Sequence, residues 1–296
     1  MDNAHSWTHY WQQGHQESCI DNQSSDNSEL DTLWQNVANQ LSEQNVVVDL
    51  ATGNGSVLRK LFQYQSKPHY IGVDYADIQP AWAIDCPSVE FIGNTDIATL
   101  PFEDGQADLV TSQFGFEYGL SSGSLAELAR VLKDKGQLAL VIHHHESEVV
   151  KPAKNRLNEL SNLLLPAGVI DKVSLFINKT ITVQALEKVG EDYLSQYKGQ
   201  ITQPVSGQCF QVVNKVIELV ESGEQHSAES LFTQFKESMK QEHSRLTQLI
   251  NVAKDQQAVT DIIGELNTYG ITSKAALVNT NQNQIIGWFI TGTKHG

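Results

Sequence analysis

Five short apolar runs in the first half of the chain constrain its fold more than any other feature. The runs are Val46–Leu50, Tyr70–Val73, Val89–Ile92, Leu109–Thr111 and Leu138–Ile142. Runs of this kind are typical of parallel strands that are buried on both faces. Helical or loop stretches separate most of them, so the pattern predicts a doubly wound α/β sheet.

The second half of the chain has a different pattern. After His145 no strand pattern is found for about 120 residues, and apolar residues recur every three or four positions, as on one face of a helix. Three sets show this period. They are Phe210, Val213, Ile217 and Val220; Leu231, Phe235 and Met239; and Val259, Ile262, Ile263 and Leu266.

Strands return only at the end of the sequence. Ala275–Val278 and Ile285–Thr291 flank a polar turn and predict a terminal antiparallel hairpin. We therefore expect three parts: residues 1–146, a helical insertion at residues 147–268 that acts as a lid or an oligomer interface, and closing strands at residues 269–296.

Charge and cysteine content exclude several classes of protein. Residues 1–150 carry 6 Lys and Arg against 21 Asp and Glu, whereas residues 151–296 carry 14 of each. An acidic first half argues against a surface that tracks nucleic acid phosphates. The three cysteines form no CxxC pair, which argues against a disulfide framework and fits a reducing cytoplasm. The chain shows no signal peptide pattern and no apolar run near 20 residues, so we expect no membrane partner.

The segment Val46–Ser56 is the strongest chemical signal. It reads as a strand followed by glycines and a helix, so backbone can approach a ligand closely at Gly53 and Gly55. A nicotinamide dinucleotide fingerprint would have a third glycine where Leu58 stands. Asp49, at the end of the strand, would repel a pyrophosphate but attract an ammonium or sulfonium group.

Further polar residues follow the next predicted strands. Asp74, with Tyr75 beside it, ends the second strand and can accept hydrogen bonds from two ribose hydroxyls. Asp96 follows the third strand and can accept from an exocyclic amine, while Ile97 can pack on a purine face; a turn role for Asp96 is the alternative. The fourth strand delivers Gln113 and Phe114 to the same edge, either to line the site or to fill the core.

Over residues 45–145 this ordered set resembles the class I S-adenosylmethionine-dependent methyltransferases, whose glycine loop reads Asp-x-Gly-x-Gly-x-Gly. The resemblance implies a seven-stranded, Rossmann-like, mostly parallel sheet with a terminal antiparallel hairpin and a helical insertion after the fifth strand. It implies S-adenosylmethionine as the cofactor, with Gly53 and Gly55 on its methionine part, Asp74 on the ribose, and Asp96 with Ile97 on the adenine.

The chain departs from the family pattern at Ala51, which stands at the first glycine of the loop. The extra methyl group could narrow the pocket or weaken cofactor binding. The resemblance also implies that an N-terminal aromatic segment folds over the cofactor, which would place Tyr10 or Trp11 near the sulfonium; a hydrophobic plug is the alternative. The cofactor-binding candidates are Asp49, Ala51, Gly53, Gly55, Asp74, Tyr75, Asp96, Ile97, Gln113, Phe114, Tyr10 and Trp11.

A run of three histidines follows the fifth predicted strand, at the edge where ligands bind in such sheets. Strand alternation predicts His143 and His145 on one face and His144 on the other. His143 and His145 are the candidates for a general base, with substrate binding, metal ligation or a purely local polar role as alternatives. We expect no metal site.

The sequence thus predicts transfer of a methyl group from S-adenosylmethionine to an O, N or C atom of a small-molecule acceptor. Two other classes stay open: a methyltransferase acting on protein or RNA, and a cofactor-binding scaffold without catalysis, for which Ala51 is the only hint. The insertion could also join copies of the chain into a homo-oligomer.

Overall fold

The apolar runs form strands of one seven-stranded sheet in a computed structural model, which describes residues 3–12, 14, 27–199 and 205–296. The strands are β1 (Val46–Leu50), β2 (His69–Val73), β3 (Val89–Ile92), β4 (Ala107–Gln113), β5 (Leu132–His143), β6 (Ile271–Asn279) and β7 (Ile285–Lys294). The helices are α1 (Asn3–Gln12), α2 (Asn27–Ala38), α3 (Ser56–Tyr64), α4 (Ser122–Val131), α5 (Val150–Leu163), α6 (Val169–Ile177), α7 (Val183–Gln196), α8 (Val205–Glu221), α9 (Gln225–Val252) and α10 (Gln256–Thr268).

The strand order confirms the predicted doubly wound sheet. It is β3-β2-β1-β4-β5-β7-β6, with β1 to β5 parallel and β7 antiparallel to both of its neighbours. The order reverses between β1 and β4, and ligands bind at the carboxyl ends of strands near such a switch point. The predicted terminal hairpin is β6 and β7.

The apolar parts of β1, β4 and β5 are buried on both faces, which explains why these segments do not alternate between apolar and polar residues. Val47 and Val141 join a cluster with α2 and α3 on one face. Val48 and Leu140 join a cluster with α4 and α10 on the other face. Alternate residues of one strand therefore serve two different cores.

The chain divides into two compact units: unit 1, Met1–Val150 with Val252–Gly296, and unit 2, Lys151–Asn251. Unit 2 is helical, with α5 to α9 supplying its described elements. Within it, the buried Glu159 carboxylate accepts hydrogen bonds from the backbone N and the hydroxyl of Ser206, at the start of α8. No helix in the described part of the chain is long and apolar enough to cross a membrane.

The helical insertion is shorter than the sequence predicts. The expected range of 147–268 includes α10, which belongs to unit 1. Val259 and Leu266 of this helix are fully buried in the core beneath the sheet. Helical period alone cannot tell which core an amphipathic helix joins, so the boundary at residue 268 is wrong.

Backbone hydrogen bonds hold the two ends of the insertion together within unit 1. The Lys254 N donates to the His143 carbonyl oxygen over 2.8 Å, and the His145 N donates to the Lys254 carbonyl oxygen over 3.2 Å. The Trp288 indole N donates to the same Lys254 oxygen over 3.1 Å. The chain thus leaves the sheet and returns to it at one place.

The placement of α10 can be tested by truncating a side chain. Leu266→Ala should destabilise the protein by about 2–5 kcal/mol, because it leaves a cavity in the core of the sheet. Asn267→Ala changes the exposed neighbour on the same helix and is the matched control. Urea unfolding monitored by circular dichroism measures both variants; a cost of Leu266→Ala no larger than that of the control would contradict this placement.

Candidate active site

The glycine loop, residues 51–55 between β1 and α3, has an unusual backbone conformation. Ala51, Gly53 and Gly55 have φ angles of 51°, 54° and 75°, in the left-handed region that favours glycine. At Ala51 this conformation costs about 1–2 kcal/mol, since its Cβ approaches the backbone. The methyl group also occupies space beside Gly115, where an added Cβ would lie 2.7 Å from it. Ala51 therefore adopts a backbone conformation that glycine adopts more easily.

Asp49 lies under this loop, with a relative exposure of 1%. Its two carboxylate oxygens accept hydrogen bonds from the Thr52 hydroxyl (2.6 Å) and the Thr111 hydroxyl (2.7 Å). Burial raises the pKa of Asp49 to about 6; the two hydroxyl hydrogen bonds lower it, and the charge of Asp74 raises it. Both partners are neutral, so the ionised carboxylate lacks a compensating positive charge.

Asp74 is the second buried carboxylate of the site. One oxygen accepts from the Gly53 backbone N over 2.7 Å, and the other accepts from the Ala76 backbone N over 2.8 Å. Burial raises the pKa of Asp74, and these two hydrogen bonds lower it. Asp74 therefore fixes the position of the glycine loop and contributes a second negative charge beside Asp49.

Aromatic side chains cover the glycine loop from two sides. A Cβ added to Gly53 would lie 2.4 Å from the Trp11 ring, and one added to Gly55 would lie 2.5 Å from the Phe91 ring. The Trp82 indole N donates to the Asn54 carbonyl oxygen over 2.9 Å. Only glycine permits this close approach of rings at both positions.

Helix α1 brings the N-terminal aromatic residues to the glycine loop. Trp11 packs against Tyr10 (5.1 Å between ring centroids) and against Trp7 (6.1 Å). Trp7 makes an edge-to-face contact with Tyr118, with centroids 5.4 Å apart. The Thr8 hydroxyl accepts from the Asp77 backbone N over 3.0 Å, which attaches α1 to the loop after β2.

The candidates after β2 and β3 differ in exposure. Tyr75 is half exposed, and Asp96 is exposed with one oxygen accepting from the Ala98 backbone N over 2.9 Å. Ile97 is buried, and its side chain lies so close to Gly119 that a Cβ there would be 2.8 Å away. Asp96 thus has the turn hydrogen bond that the sequence suggested as its alternative role.

Gln113 and Phe114 have definite partners in the core. The Gln113 amide oxygen accepts from the indole N of buried Trp34 over 2.6 Å, which links β4 to α2. Phe114 is buried, has a φ of 54°, and packs against the His143 ring with centroids 4.4 Å apart. Both residues therefore support the carboxyl edge from the side of α2.

The three histidines separate, but not as strand alternation predicts. Strand β5 ends at His143, so His144 and His145 do not continue its alternation. Their rings stack on each other at 4.7 Å, and His144 also packs on Trp288 at 5.1 Å. His143 is fully buried, whereas the His145 side chain is 42% exposed. The expectation that His143 and His145 share a face is therefore wrong.

Glu117 is a site residue that the sequence reasoning missed. One of its oxygens lies 2.6 Å from the His143 Nδ1 and 2.8 Å from the His143 backbone N, and both side chains are fully buried. Thr52 and Thr111, the partners of Asp49, were also missed. A single acid within the aromatic segment Phe114–Tyr118 was the signal available for Glu117.

Metal ligation has no support among the placed side chains. Within residues 3–12, 14, 27–199 and 205–296, no group of three His, Cys, Asp or Glu residues could hold a metal ion. The groups that the described residues bring to this site are carboxylates, hydroxyls, imidazoles and aromatic rings.

Residues 48–140 match the family described as "Methyltransferase domain". An uncharacterized methyltransferase of Schizosaccharomyces pombe is 29% identical over 119 residues, which are 40% of this chain and 47% of that protein. The demethylmenaquinone methyltransferase of Thermus thermophilus is 34% identical over 102 residues, which are 32% of this chain and 46% of that protein.

Among solved structures, the methyltransferase in complex with the Haloferax volcanii Trm112 methyltransferase activator is 30% identical and has a TM-score of 0.34. The match covers 40% of this chain and 56% of that one. The chain spans about half the length of the curated relatives it matches. The family match lies within unit 1 and runs from β1 into β5, so this part of the chain is similar to a methyltransferase domain and has a Rossmann-like strand order.

Proposed function

We propose that the chain binds S-adenosylmethionine at the glycine loop of unit 1 and transfers its methyl group to a small-molecule acceptor. The observation that carries this proposal is the pair of buried carboxylates, Asp49 and Asp74, whose hydrogen-bond partners within the described part of the chain are neutral hydroxyl and N–H groups. A cationic ligand with ribose hydroxyls would complement both carboxylates.

The residues at the carboxyl edge of the sheet fit the separate parts of S-adenosylmethionine. Each carboxylate oxygen can accept a second hydrogen bond, so Asp74 can hold ribose hydroxyls while keeping Gly53 in place. Asp49 lies under the loop and stabilises positive charge near the methionine part. Ile97, with Asp96, is assigned to the adenine, as the family resemblance implies.

The aromatic residues of α1 are assigned to the cationic end of the cofactor. The ring of Trp11 lies on Gly53, so the methionine part reaches the loop only if this ring shifts. Aromatic faces attract cations, by about 0.5–2 kcal/mol depending on desolvation. Trp11 and Tyr10 are thus placed to stack on the bound group after the shift.

His143 is assigned as the general base. S-adenosylmethionine supplies a methyl carbon that is already activated, so the chain has to align the acceptor, exclude water and take up a proton. The buried His143 is linked through Tyr118 and Trp7 to Trp11 on the glycine loop by successive ring contacts. His145, with its exposed ring, is the weaker candidate.

Two features support a small-molecule acceptor over a nucleic acid. The first 150 residues carry a large excess of acidic residues, which repels phosphate groups. The relative from Thermus thermophilus is named for demethylmenaquinone, a small molecule. The role of the helical insertion in acceptor choice or in oligomerisation stays a prediction from the sequence.

Cofactor binding is the first test of the proposal. S-adenosylmethionine and S-adenosylhomocysteine should each raise the melting temperature, whereas NAD and ATP should not. At a hundredfold excess over the dissociation constant the stabilisation is about 2.7 kcal/mol. Differential scanning fluorimetry measures the four ligands in parallel, and stabilisation by NAD or ATP alone would reject the assignment.

Asp74→Asn should weaken S-adenosylmethionine binding about tenfold or more in calorimetry, because it removes a charged acceptor from two hydroxyls. Asp77→Asn, an exposed position three residues away, removes the same charge and serves as the control. Equal affinities of the two variants would show that Asp74 does not hold the ribose.

Asp49 gives the site a dependence on pH. Its folded-state pKa of about 6 lies above the ordinary value of 3.8, so the folded protein binds more protons than the unfolded chain between these values. The contribution of Asp49 to stability therefore falls as pH rises through this window, by about 3 kcal/mol in all. Cofactor affinity should change in the opposite direction, since only the ionised carboxylate attracts a cation.

Calorimetry from pH 5 to pH 8 tests this expectation. The affinity of the wild type for S-adenosylmethionine should rise up to about tenfold per pH unit below pH 6 and then level off. Asp49→Asn should lose most of this slope, and without cofactor it should stabilise the protein more at pH 8 than at pH 5. The same slope in both proteins would overturn the role of Asp49.

His143→Gln should lower turnover by about a hundredfold or more, measured by S-adenosylhomocysteine release with a panel of O, N and C acceptors. Cofactor affinity should barely change, because the cofactor-binding residues lie on other segments. His145→Gln is the control at an exposed ring. Near-normal turnover of both variants would mean that the site works by alignment alone.

A further inference from the structure

We propose that Glu117 is a positioning residue: it fixes the His143 ring in the tautomer that carries its proton on Nδ1, and it stabilises the ring when a second proton arrives on Nε2. This inference rests on the proposed function, in which His143 takes a proton from the acceptor.

The geometry of one oxygen atom determines the tautomer. The Glu117 Oε1 accepts the backbone N–H of His143 over 2.8 Å, so this oxygen is an acceptor. The same oxygen lies 2.6 Å from the His143 Nδ1. A short contact to an accepting oxygen requires the ring nitrogen to donate, so Nδ1 carries the proton and Nε2 is the basic nitrogen.

Ring packing leaves few alternatives for the imidazole. Phe114 packs on the His143 ring at 4.4 Å with an interplanar angle of 32°, and Tyr118 meets it edge-to-face at 6.1 Å. These contacts define the ring plane but not which edge carries nitrogen. A half-turn of the ring would put Cδ2 in place of Nδ1, and the hydrogen bond to Glu117 is what opposes that half-turn.

The backbone that carries Glu117 is itself fixed. Ser112, the penultimate residue of β4, donates its hydroxyl to the Leu50 carbonyl oxygen over 2.7 Å and accepts the Phe116 N–H over 3.0 Å. Phe114 adopts a positive φ, and a short 3-10 helix, Phe116–Tyr118, follows. Glu117 thus extends toward the end of β5 from a turn that is hydrogen-bonded to β1 through Ser112.

Burial of the Glu117 carboxylate lowers the stability of the fold, and an apolar side chain at this position would avoid that loss. Among the described residues, the Glu117 Oε2 is buried without a hydrogen-bond partner. A buried polar atom without a hydrogen-bond partner lowers the stability of the folded protein. A second proton on His143 would place a cation beside the carboxylate, in an environment where opposite charges attract strongly.

Other described residues also pack around the ring. Tyr118, from the 3-10 helix, is a further titratable residue on the His143 ring, while Phe114 after β4 and Gly287 on β7 are uncharged. The next residue, His144, packs its ring on Trp288. Glu117 makes the direct contact with Nδ1 and is the residue to vary.

Nitrogen-15 NMR of the full-length protein tests the proposal without an acceptor. The His143 ring signals are identified by their loss in His143→Gln. In the wild type Nδ1 should be protonated and Nε2 bare. Glu117→Gln retains an accepting oxygen, so the tautomer should persist, but the affinity of His143 for a second proton should fall about tenfold or more. Glu117→Leu removes the acceptor and should let both tautomers appear.

Glu146→Gln removes a charge near the exposed His145 and is the matched control; it should change neither quantity. Protonation of Nε2 instead of Nδ1 in the wild type would overturn the proposal, as would equal proton affinities in the wild type and Glu117→Gln. Should Glu117→Leu fail to fold, the Glu117→Gln titration decides alone. S-adenosylmethionine binding, measured in the same samples, separates the two proposals: loss of the NMR result with intact binding rejects only the role of Glu117.

Discussion

The structure depends on a parallel sheet that is buried on both faces. Once β1, β2, β4 and β5 have helices on either side, their side chains are apolar along most of their length, and ionisable groups concentrate where the strands end. Asp49 is a buried acid within β1, where its two hydroxyl partners, Thr52 and Thr111, hydrogen-bond to it. The carboxyl edge of the sheet thus collects the reactive groups of unit 1.

The buried carboxylates at the carboxyl ends of the strands lower the stability of the fold when they are ionised. Asp49 and Asp74 repel each other, and burial works against the ionisation of both. Neutral hydrogen bonds offset this cost only in part. Glu117, next to the end of β5, is a third buried acid of unit 1. Selection for stability alone would favour an apolar side chain in place of at least one of these buried acids.

The sequence predicted most of the sheet because its information is local. Each strand between residues 46 and 143 contains an apolar run, and Asp49 and Asp74 stand at or directly after the ends of β1 and β2. Contacts between distant segments were not accessible in this way. No period distinguishes α10 from the helices of the insertion, and the end of β5 at His143 depends on hydrogen bonds to Lys254. Glu117 lies 26 residues from its partner and has no spacing rule.

The backbone hydrogen bonds that join the two ends of the insertion have an evolutionary consequence. Because Lys254 pairs with His143 and His145, the sheet closes on itself whether the intervening segment is long or short. A lineage can lengthen, replace or lose the helices between residues 151 and 251 without changing the register of β5 or β7. The helices of unit 2 and the glycine loop of unit 1 are then free to change at separate rates.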